Sequence, residues 1–320
     1  MGGMTTMVHD SRTGAPAASV PDTIELPTVF LLVATYGAWL AVTAAYGRWP
    51  FAVLAPIAVA LVTLQSSLQH EILHGHPTPW PTLNRLLAIV PVSLWLPYAR
   101  YRQVHLTHHR DERLTDPLDD PESFYWTPDN WALTHPVIRA LLHTQQTLAG
   151  RVLIGPPWHI SMFLRGELLA VIRNQRRARR LWAEHLLWCI PVVVWIKVVC
   201  GMPLSLYFVA IVMPGYSLVL IRSFAEHRAR PEVRKRIAIV ERSRILGPLF
   251  LFNNLHSLHH ETPTLPWYLY NARYRLNRER LIAENGGLVY TTYFDVARRF
   301  LFRAHDAIEH PTGRVPGGRH

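Results

Sequence analysis

The segment Phe51–His74 reads FAVLAPIAVALVTLQSSLQHEILH, a long apolar run that leads into two histidines. Its first 18 residues carry no charge. A helix needs ~20 apolar residues to cross a hydrocarbon core about 30 Å thick. Two histidines four positions apart follow the apolar run, at His70 and His74. The segment therefore predicts a membrane-spanning helix that ends in a pair of metal-binding side chains.

Three further stretches share this apolar character. Leu26–Tyr46 contains 21 residues without a charge, and only Lys197 interrupts Leu187–Cys200 and Met202–Ile221. One such run is compatible with a buried helix of a soluble protein, but four are not. We therefore predict an all-α integral membrane protein in which four transmembrane helices form two hairpins. The predicted spans cover about residues 26–46, 51–69, 183–200 and 203–222.

The basic residues predict how these spans are oriented. Of 33 Lys and Arg residues, 13 lie in residues 70–180 and 17 lie in residues 222–320. The positive-inside tendency places both segments in the cytoplasm, as a helical cap on a multi-pass protein of the cell inner membrane. Because the basic residues flank the spans, we expect them to contact membrane lipid headgroups and not nucleic acid. The strong preference for arginine over lysine indicates a bacterial source.

The remaining segments predict the domain organisation. Residues 1–23 are polar and rich in Pro, Gly, Ser and Ala, which predicts a disordered N-terminal tail. We expect the membrane domain over residues 24–275 and a polar, arginine-rich cytoplasmic tail over residues 276–320. Leu83–Tyr98 is apolar but short, which predicts a re-entrant or interfacial helix. The acidic stretch Asp116–Glu122 predicts a loop, either solvated or close to a functional site.

Histidines are concentrated in three short clusters, HEILH at 70–74, HLTHH at 105–109 and HSLHH at 256–260. Histidines at positions i, i+3 and i+4 share one helical face, and neutral imidazole is a good ligand for iron, zinc and copper. If the spans form two hairpins, all three clusters lie on the same side of the membrane. The candidate metal ligands in the clusters are His70, His74, His105, His108, His109, His256, His259 and His260.

His227 lies just past the fourth predicted span and is the ninth candidate ligand. Because one zinc ion takes only three or four protein ligands, eight or nine imidazoles predict two metal ions. Two redox-active ions beside a membrane suit O₂ chemistry on a lipid-soluble C–H bond. Glu71 is next to His70 but on another helical face, so we expect it to orient an imidazole and not to coordinate. The pattern identifies neither the element nor a separate catalytic residue.

The three boxes resemble those of the membrane fatty-acid desaturase and hydroxylase superfamily, over roughly residues 30–270. Asn253–His256 and the proline-punctuated His260–Trp267 resemble the region of the last box in bacterial desaturases and carotenoid ketolases. The resemblance implies a non-haem diiron centre held by the eight box histidines and His227. It also implies O₂ as co-substrate and a lipid or acyl chain as substrate. Acyl-CoA desaturases of the family carry Asn where this chain has Ser223, so Ser223 is expected to support the metal through water.

The reaction type is left open between a fatty-acyl desaturase and a hydroxylase or carotenoid ketolase. Ketolases usually have Asp where Glu71 stands, which favours the desaturase. HEILH also matches the H-E-x-x-H motif of zinc metalloproteases, but a protease leaves the other two boxes unexplained. A histidine-rich transporter or sensor would be expected to place its ligands near the middle of the membrane. Because the sequence shows no Rossmann fingerprint and no cysteine set for an iron–sulfur cluster, we expect a separate ferredoxin-like or cytochrome electron donor.

Overall fold

The computed structural model describes residues 23–311, so the predicted N-terminal tail lies outside the described residues except for Thr23. Within this range the chain is mainly helical. The helices are α1 Leu26–Ala44, α2 Phe51–Leu73, α3 Pro81–Ala88, α4 Tyr98–His108, α5 Pro128–Ala132, α6 Pro136–Gln145, α7 Leu148–Leu153, α8 Gly155–Ile172, α9 Arg176–Val194, α10 Leu204–Tyr207, α11 Met213–Glu226, α12 Leu246–Leu249, α13 His256–Glu261, α14 Tyr270–Glu284 and α15 Tyr293–Phe300. The strands are β1 Ile239–Val240 and β2 Val289–Tyr290.

Four helical stretches are long and apolar enough to cross a membrane: Leu26–Ala44, Phe51–Leu73, Arg176–Val199 and Leu204–Glu226. A π-helical turn, Trp195–Val199, continues α9, and a second π-helical turn, Phe208–Val212, joins α10 to α11. The predicted all-α membrane class and its four spans are confirmed. The pairing of the spans into hairpins and the cytoplasmic cap remain predictions.

Helix α2 continues beyond its apolar run. The apolar run predicts a span that reaches about residue 69, whereas the helix continues to Leu73. The polar side chains of its last turns, Gln69, His70 and Glu71, are buried by the protein. The helix therefore extends from the apolar segment into a buried polar environment, which hydropathy alone does not mark.

The described chain divides into two compact units. The first unit contains the residues up to 103 together with 156–219, and the second contains 104–155 together with the residues from 220 onward. Hence α1, α2, α3, α9 and α10 belong to the first unit, and the segments around the second and third histidine clusters belong to the second.

The core of the first unit is held together by an aromatic pair. Trp39 on α1 donates from its indole nitrogen to the hydroxyl of Tyr207 on α10 (3.0 Å), and that hydroxyl donates to the carbonyl of Val92 (2.8 Å). All three side chains are buried. The indole nitrogen and the hydroxyl of this pair are thus both hydrogen-bonded. Trp39 and Tyr207 can therefore be buried in an apolar core without leaving a polar atom unpaired.

Helix α2 approaches the first turns of α11 closely at Gly215. The hydroxyl of Thr63 donates to the Gly215 carbonyl (3.1 Å). A Cβ atom added at Gly215 would lie 3.2 Å from Cγ1 of Val62. The absence of a side chain at Gly215 therefore permits this helix–helix contact.

The second unit is organised around a short parallel pair of strands, in which Ile239 faces Val289 and Val240 faces Tyr290. The strand pair and α15 bury Tyr290, Tyr293 and Val296. The sequence predicts a polar tail over residues 276–320, and the described part of this segment contains the end of α14, β2 and α15. The spacing of Tyr293, Val296 and Phe300 gives α15 one apolar face, which packs despite the high arginine content of the segment.

Replacing Gly215 with leucine should overpack the contact with Val62 and destabilise the protein by about 1–3 kcal/mol. The midpoint of thermal unfolding in detergent would fall. Gly37→Leu on α1 is the matched control, because a Cβ atom there meets nothing within 4 Å. Equal midpoints for the two variants would show that α2 and α11 are not in close contact.

Candidate metal centre

The third histidine cluster forms α13, a helix of little more than one turn. His256, His259 and His260 are 2%, 2% and 7% exposed, so all three rings are withdrawn from solvent. Helical spacing places the rings on neighbouring positions of one face, and the ring centroids of His256 and His260 lie 4.7 Å apart.

The second cluster lies at the end of α4. His105 and His108 occupy the last turn of the helix, and His109 follows it directly. The backbone N–H of His109 still donates to the His105 carbonyl (3.0 Å), so the helical geometry continues through all three histidines. The three rings are buried.

His227 follows the last residue of α11 and pairs with Ile237 in an isolated antiparallel bridge. Its Nε2 lies 3.1 Å from Nε2 of His108 and 2.9 Å from Nε2 of His256. Nε2 of His256 in turn lies 3.1 Å from Nε2 of His260. One group of ring nitrogens, all within 4.8 Å of one another, therefore contains His108, His227, His256 and His260.

A second group of nitrogens forms in the same unit. Nε2 of His109 lies 3.0 Å from Nε2 of His105 and 3.0 Å from Nε2 of His259. The ring centroids of His109 and His259 are 4.7 Å apart. Seven of the nine predicted ligands are thus brought together in the second unit, in one group of four and one group of three.

The nitrogen separations fit metal binding. Ring nitrogens bound at ~2.1 Å to a common ion are about 3.0–3.4 Å apart. The closest contacts in both groups fall at 2.9–3.1 Å. The donor set, imidazole without thiolate, is one that suits iron, zinc and copper.

The outward-facing ring nitrogens of four histidines have hydrogen-bond partners. Nδ1 of His108 lies 3.0 Å from Asp120 Oδ1, and Nδ1 of His105 lies 3.0 Å from Glu122 Oε1. A carboxylate accepts only from a protonated Nδ1, so in each ring Nε2 is the nitrogen that would bind a metal ion. Two ring nitrogens ~3 Å apart share a proton in an N–H···N hydrogen bond, and a metal ion bound to both rings would take the place of that proton.

The third cluster is held in the same way. Nδ1 of His256 lies 3.1 Å from the side-chain oxygen of Asn253 and 3.3 Å from Glu226 Oε1. Nδ1 of His259 lies 2.9 Å from the hydroxyl of Tyr270 on α14. These partners fix the ring orientations, which is how outer residues of metal sites raise metal affinity.

Burial makes most of these rings neutral. It lowers the pKa of His227, His256 and His260 well below 6.5, so these rings are neutral at neutral pH, which is the form that binds a metal ion. Burial also opposes protonation of His108, but the neighbouring carboxylates, chiefly Asp120, raise its pKa to about 9. The negative potential that would stabilise a proton there would equally stabilise a metal cation.

The first cluster lies in the first unit. His70 is in the last turns of α2, and His74 caps its C-terminus. Both rings are buried, and their centroids lie 5.1 Å apart. The helical spacing predicted from the sequence therefore places these two rings next to each other at the end of the second span.

Glu71 is buried within the first unit and lies 3.8 Å from Nε2 of His76. Nδ1 of His76 is 2.6 Å from Oε1 of Glu25, a residue just before α1. These three buried side chains form a group of their own that ties the start of α1 to the end of the first histidine cluster. The predicted supporting role of Glu71 toward a metal ligand remains a prediction.

Ser223 lies on α11, and its hydroxyl donates to the carbonyl of Leu220 in the preceding turn (3.4 Å). Its predicted support of a metal through water also remains a prediction.

Sequence reasoning missed several partners of the histidines. The acidic stretch was predicted to be either solvated or near the site, and the structure places Asp120 and Glu122 on the rings of the second cluster. Asn253 is three residues before His256, a spacing that a helical start could have indicated. Tyr270 and Glu226 carry no such signal, because only tertiary folding brings them to the rings.

The fold and site define a membrane protein with buried imidazole clusters able to hold metal. Residues 47–294 match the model of a protein family described as fatty acid desaturase, and the chain belongs to this family. Comparison with curated proteins gave no match. Membership makes the chain an oxidoreductase of the desaturase superfamily, with a non-haem iron centre and a lipid or acyl substrate implied. Family membership therefore favours a desaturase-like oxidoreductase over the zinc protease whose motif HEILH also matches.

Tyr270→Phe should weaken metal binding by about 10–100-fold, because it removes the hydroxyl that contacts Nδ1 of His259. The measurement is the loss of bound iron from the purified protein during titration with a chelator. Tyr274→Phe is the matched control on the same helix, since its hydroxyl donates to Glu241 and not to a histidine. Indistinguishable titration curves for the two variants would contradict the role of Tyr270.

Proposed function

We propose that the chain is an O₂-dependent fatty-acyl desaturase of a bacterial inner membrane, acting through two non-haem iron ions. The observation that carries the proposal is the pair of imidazole groups, with ring nitrogens about 3 Å apart, in a chain of the desaturase family. The first group supplies His108, His227, His256 and His260 to one ion. The second group supplies His105, His109 and His259, and by resemblance of the histidine boxes His70 and His74 complete this set.

The bound ions would supply the activation of O₂ needed to take hydrogen from an unactivated C–H bond. The protein's own residues hold the ligands and exclude water. Asp120, Glu122, Asn253 and Tyr270 fix the imidazole rings from outside. Because the rings are buried, an oxidising species would be shielded from bulk solvent.

An acyl chain is the proposed substrate because four apolar helices place the protein in a lipid environment. Converting one CH₂–CH₂ unit into CH=CH releases two hydrogen atoms. Reduction of O₂ to two waters consumes these and requires two further electrons and two protons. We propose that a separate ferredoxin-like or cytochrome donor supplies the electrons. The distribution of basic residues supports placing the site on the cytoplasmic side.

The metal assignment is tested by His256→Ala. The variant should lower the iron content from about two ions per chain to about one, because one group loses a ligand that contacts His227 and His260. Elemental analysis of the purified protein gives the count. His143→Ala is the control, since this ring packs against Trp131. Zinc as the sole bound metal, or unchanged iron in His256→Ala, would refute the diiron proposal.

The reaction is tested by mass spectrometry of lipids from cells that express the chain with a ferredoxin and its reductase. A desaturase gives acyl chains that lack two hydrogens, whereas a hydroxylase gives chains that gain one oxygen. His259→Ala should abolish the product while the protein stays in the membrane, and His143→Ala should retain it. Oxygen-containing products would overturn desaturation in favour of hydroxylation or ketolation. If neither product forms with a chain that carries two irons, acyl lipids are not its substrate.

A further inference from the structure

A pocket of about 460 Å³ lies on the surface of the second unit, beside the end of α15. Four arginines line it together with Phe300, Ala304 and His305. The arginines are Arg228, Arg298, Arg299 and Arg303. None of these residues belongs to the histidine groups, so the pocket is a separate feature.

The pocket is built against the end of the fourth apolar helix. Arg228 lies two residues beyond Glu226, where that span ends. Phe224 in the last turn of the span contacts the ring of Phe300 (centroids 6.3 Å apart) and the ring of His305 (4.7 Å). The end of an apolar span is the depth at which the phosphate headgroups of a bilayer lie.

The pocket carries an excess of positive charge. Asp295 accepts a hydrogen bond from Arg299 Nε (2.9 Å) and lies 3.9 Å from Arg298. Asp306 lies 3.6 Å from Nε of Arg228. Four guanidinium groups therefore face only two carboxylates. Arg303 is exposed and forms no ion pair within residues 23–311.

Guanidinium groups in such a cluster present paired N–H donors to an anion. Arg228 uses one terminal nitrogen on the carbonyl of His305 (2.9 Å), and its Nε is beyond hydrogen-bond distance of Asp306. The donors that remain match the oxygen atoms of a phosphate group, which arginine binds in a bidentate manner.

Large apolar side chains are exposed next to these arginines. Phe294, Leu301 and Phe302 are 77%, 42% and 82% exposed. Arginines interleaved with exposed Phe and Leu are typical of segments that lie in the interface of a membrane, where the cations meet headgroups and the apolar groups enter the acyl boundary. An acidic protein partner would account for the arginines but not for the exposed apolar side chains beside a span.

We propose that this pocket binds the phosphate headgroup of an anionic phospholipid, with α15 and residues 301–305 lying against the membrane surface. The site takes a phosphodiester that carries net negative charge, as in phosphatidylglycerol. This binding is independent of the redox chemistry, because no histidine ligand contributes to the pocket.

The test uses the full-length, iron-loaded protein in nanodiscs made with phosphatidylglycerol or phosphatidylcholine, followed by native mass spectrometry of the lipids that stay bound. The wild-type protein should retain phosphatidylglycerol preferentially. The double variant R298A/R303A should bind it roughly 30-fold more weakly, at about fivefold for each arginine. R273A/R275A, which removes two exposed arginines of α14, is the matched control and should bind as the wild type does.

A second measurement is hydrogen–deuterium exchange of residues 293–305, which should slow in phosphatidylglycerol relative to phosphatidylcholine and only when Arg298 and Arg303 are present. Unchanged iron content in both double variants shows that they are folded. Equal retention of the two lipids, or an equal loss in both double variants, would overturn the proposal. Displacement of the lipid by equimolar glycerol phosphate would identify a site for soluble anions instead. Protection of residues 293–305 only by an acidic electron donor would identify a protein-docking site.

Discussion

The approach of imidazole nitrogens to within about 3 Å of one another is the constraint on which the rest of the second unit depends. Ring nitrogens this close share a proton or a metal ion, and the residues behind the rings hold them in this orientation. Asp120, Glu122, Asn253 and Tyr270 provide that support on the far side of the rings. These residues come from three segments: the loop after α4, the segment before α13 and the start of α14. All three segments therefore help to orient the same set of imidazole rings.

Both compact units bury polar side chains as well as apolar ones. The first unit contains the Trp39–Tyr207 pair and the buried group of Glu25, Glu71 and His76. The second unit buries the candidate ligands of the second and third histidine clusters together with outer partners such as Asp120 and Tyr270. Helix α11 is followed directly by the candidate ligand His227.

Much of this could be read from the sequence, because the relevant signals are local. The four spans follow from runs of about 20 uncharged residues. The membership of His105, His108 and His109 in one face follows from helical spacing, and both expectations hold in the structure. Helix α2 extends beyond its apolar run to Leu73, because a buried polar environment sustains a helix where hydropathy falls. Composition alone does not reveal the apolar face of α15, because Arg298 and Arg299 lie in the same short helix.

The membrane class, the number of spans and the candidate metal ligands were predictable from the sequence, because each depends on composition or on periodicity within one helix. Which histidines share a group depends on tertiary folding, which pairs His108 with His227 and His256 and pairs His109 with His105 and His259. It alone gave the rings their outer partners and assembled an arginine-lined pocket from segments 70 residues apart, Arg228 and Arg298. Contacts between distant segments depend on how helices pack in space, and no local pattern encodes that packing.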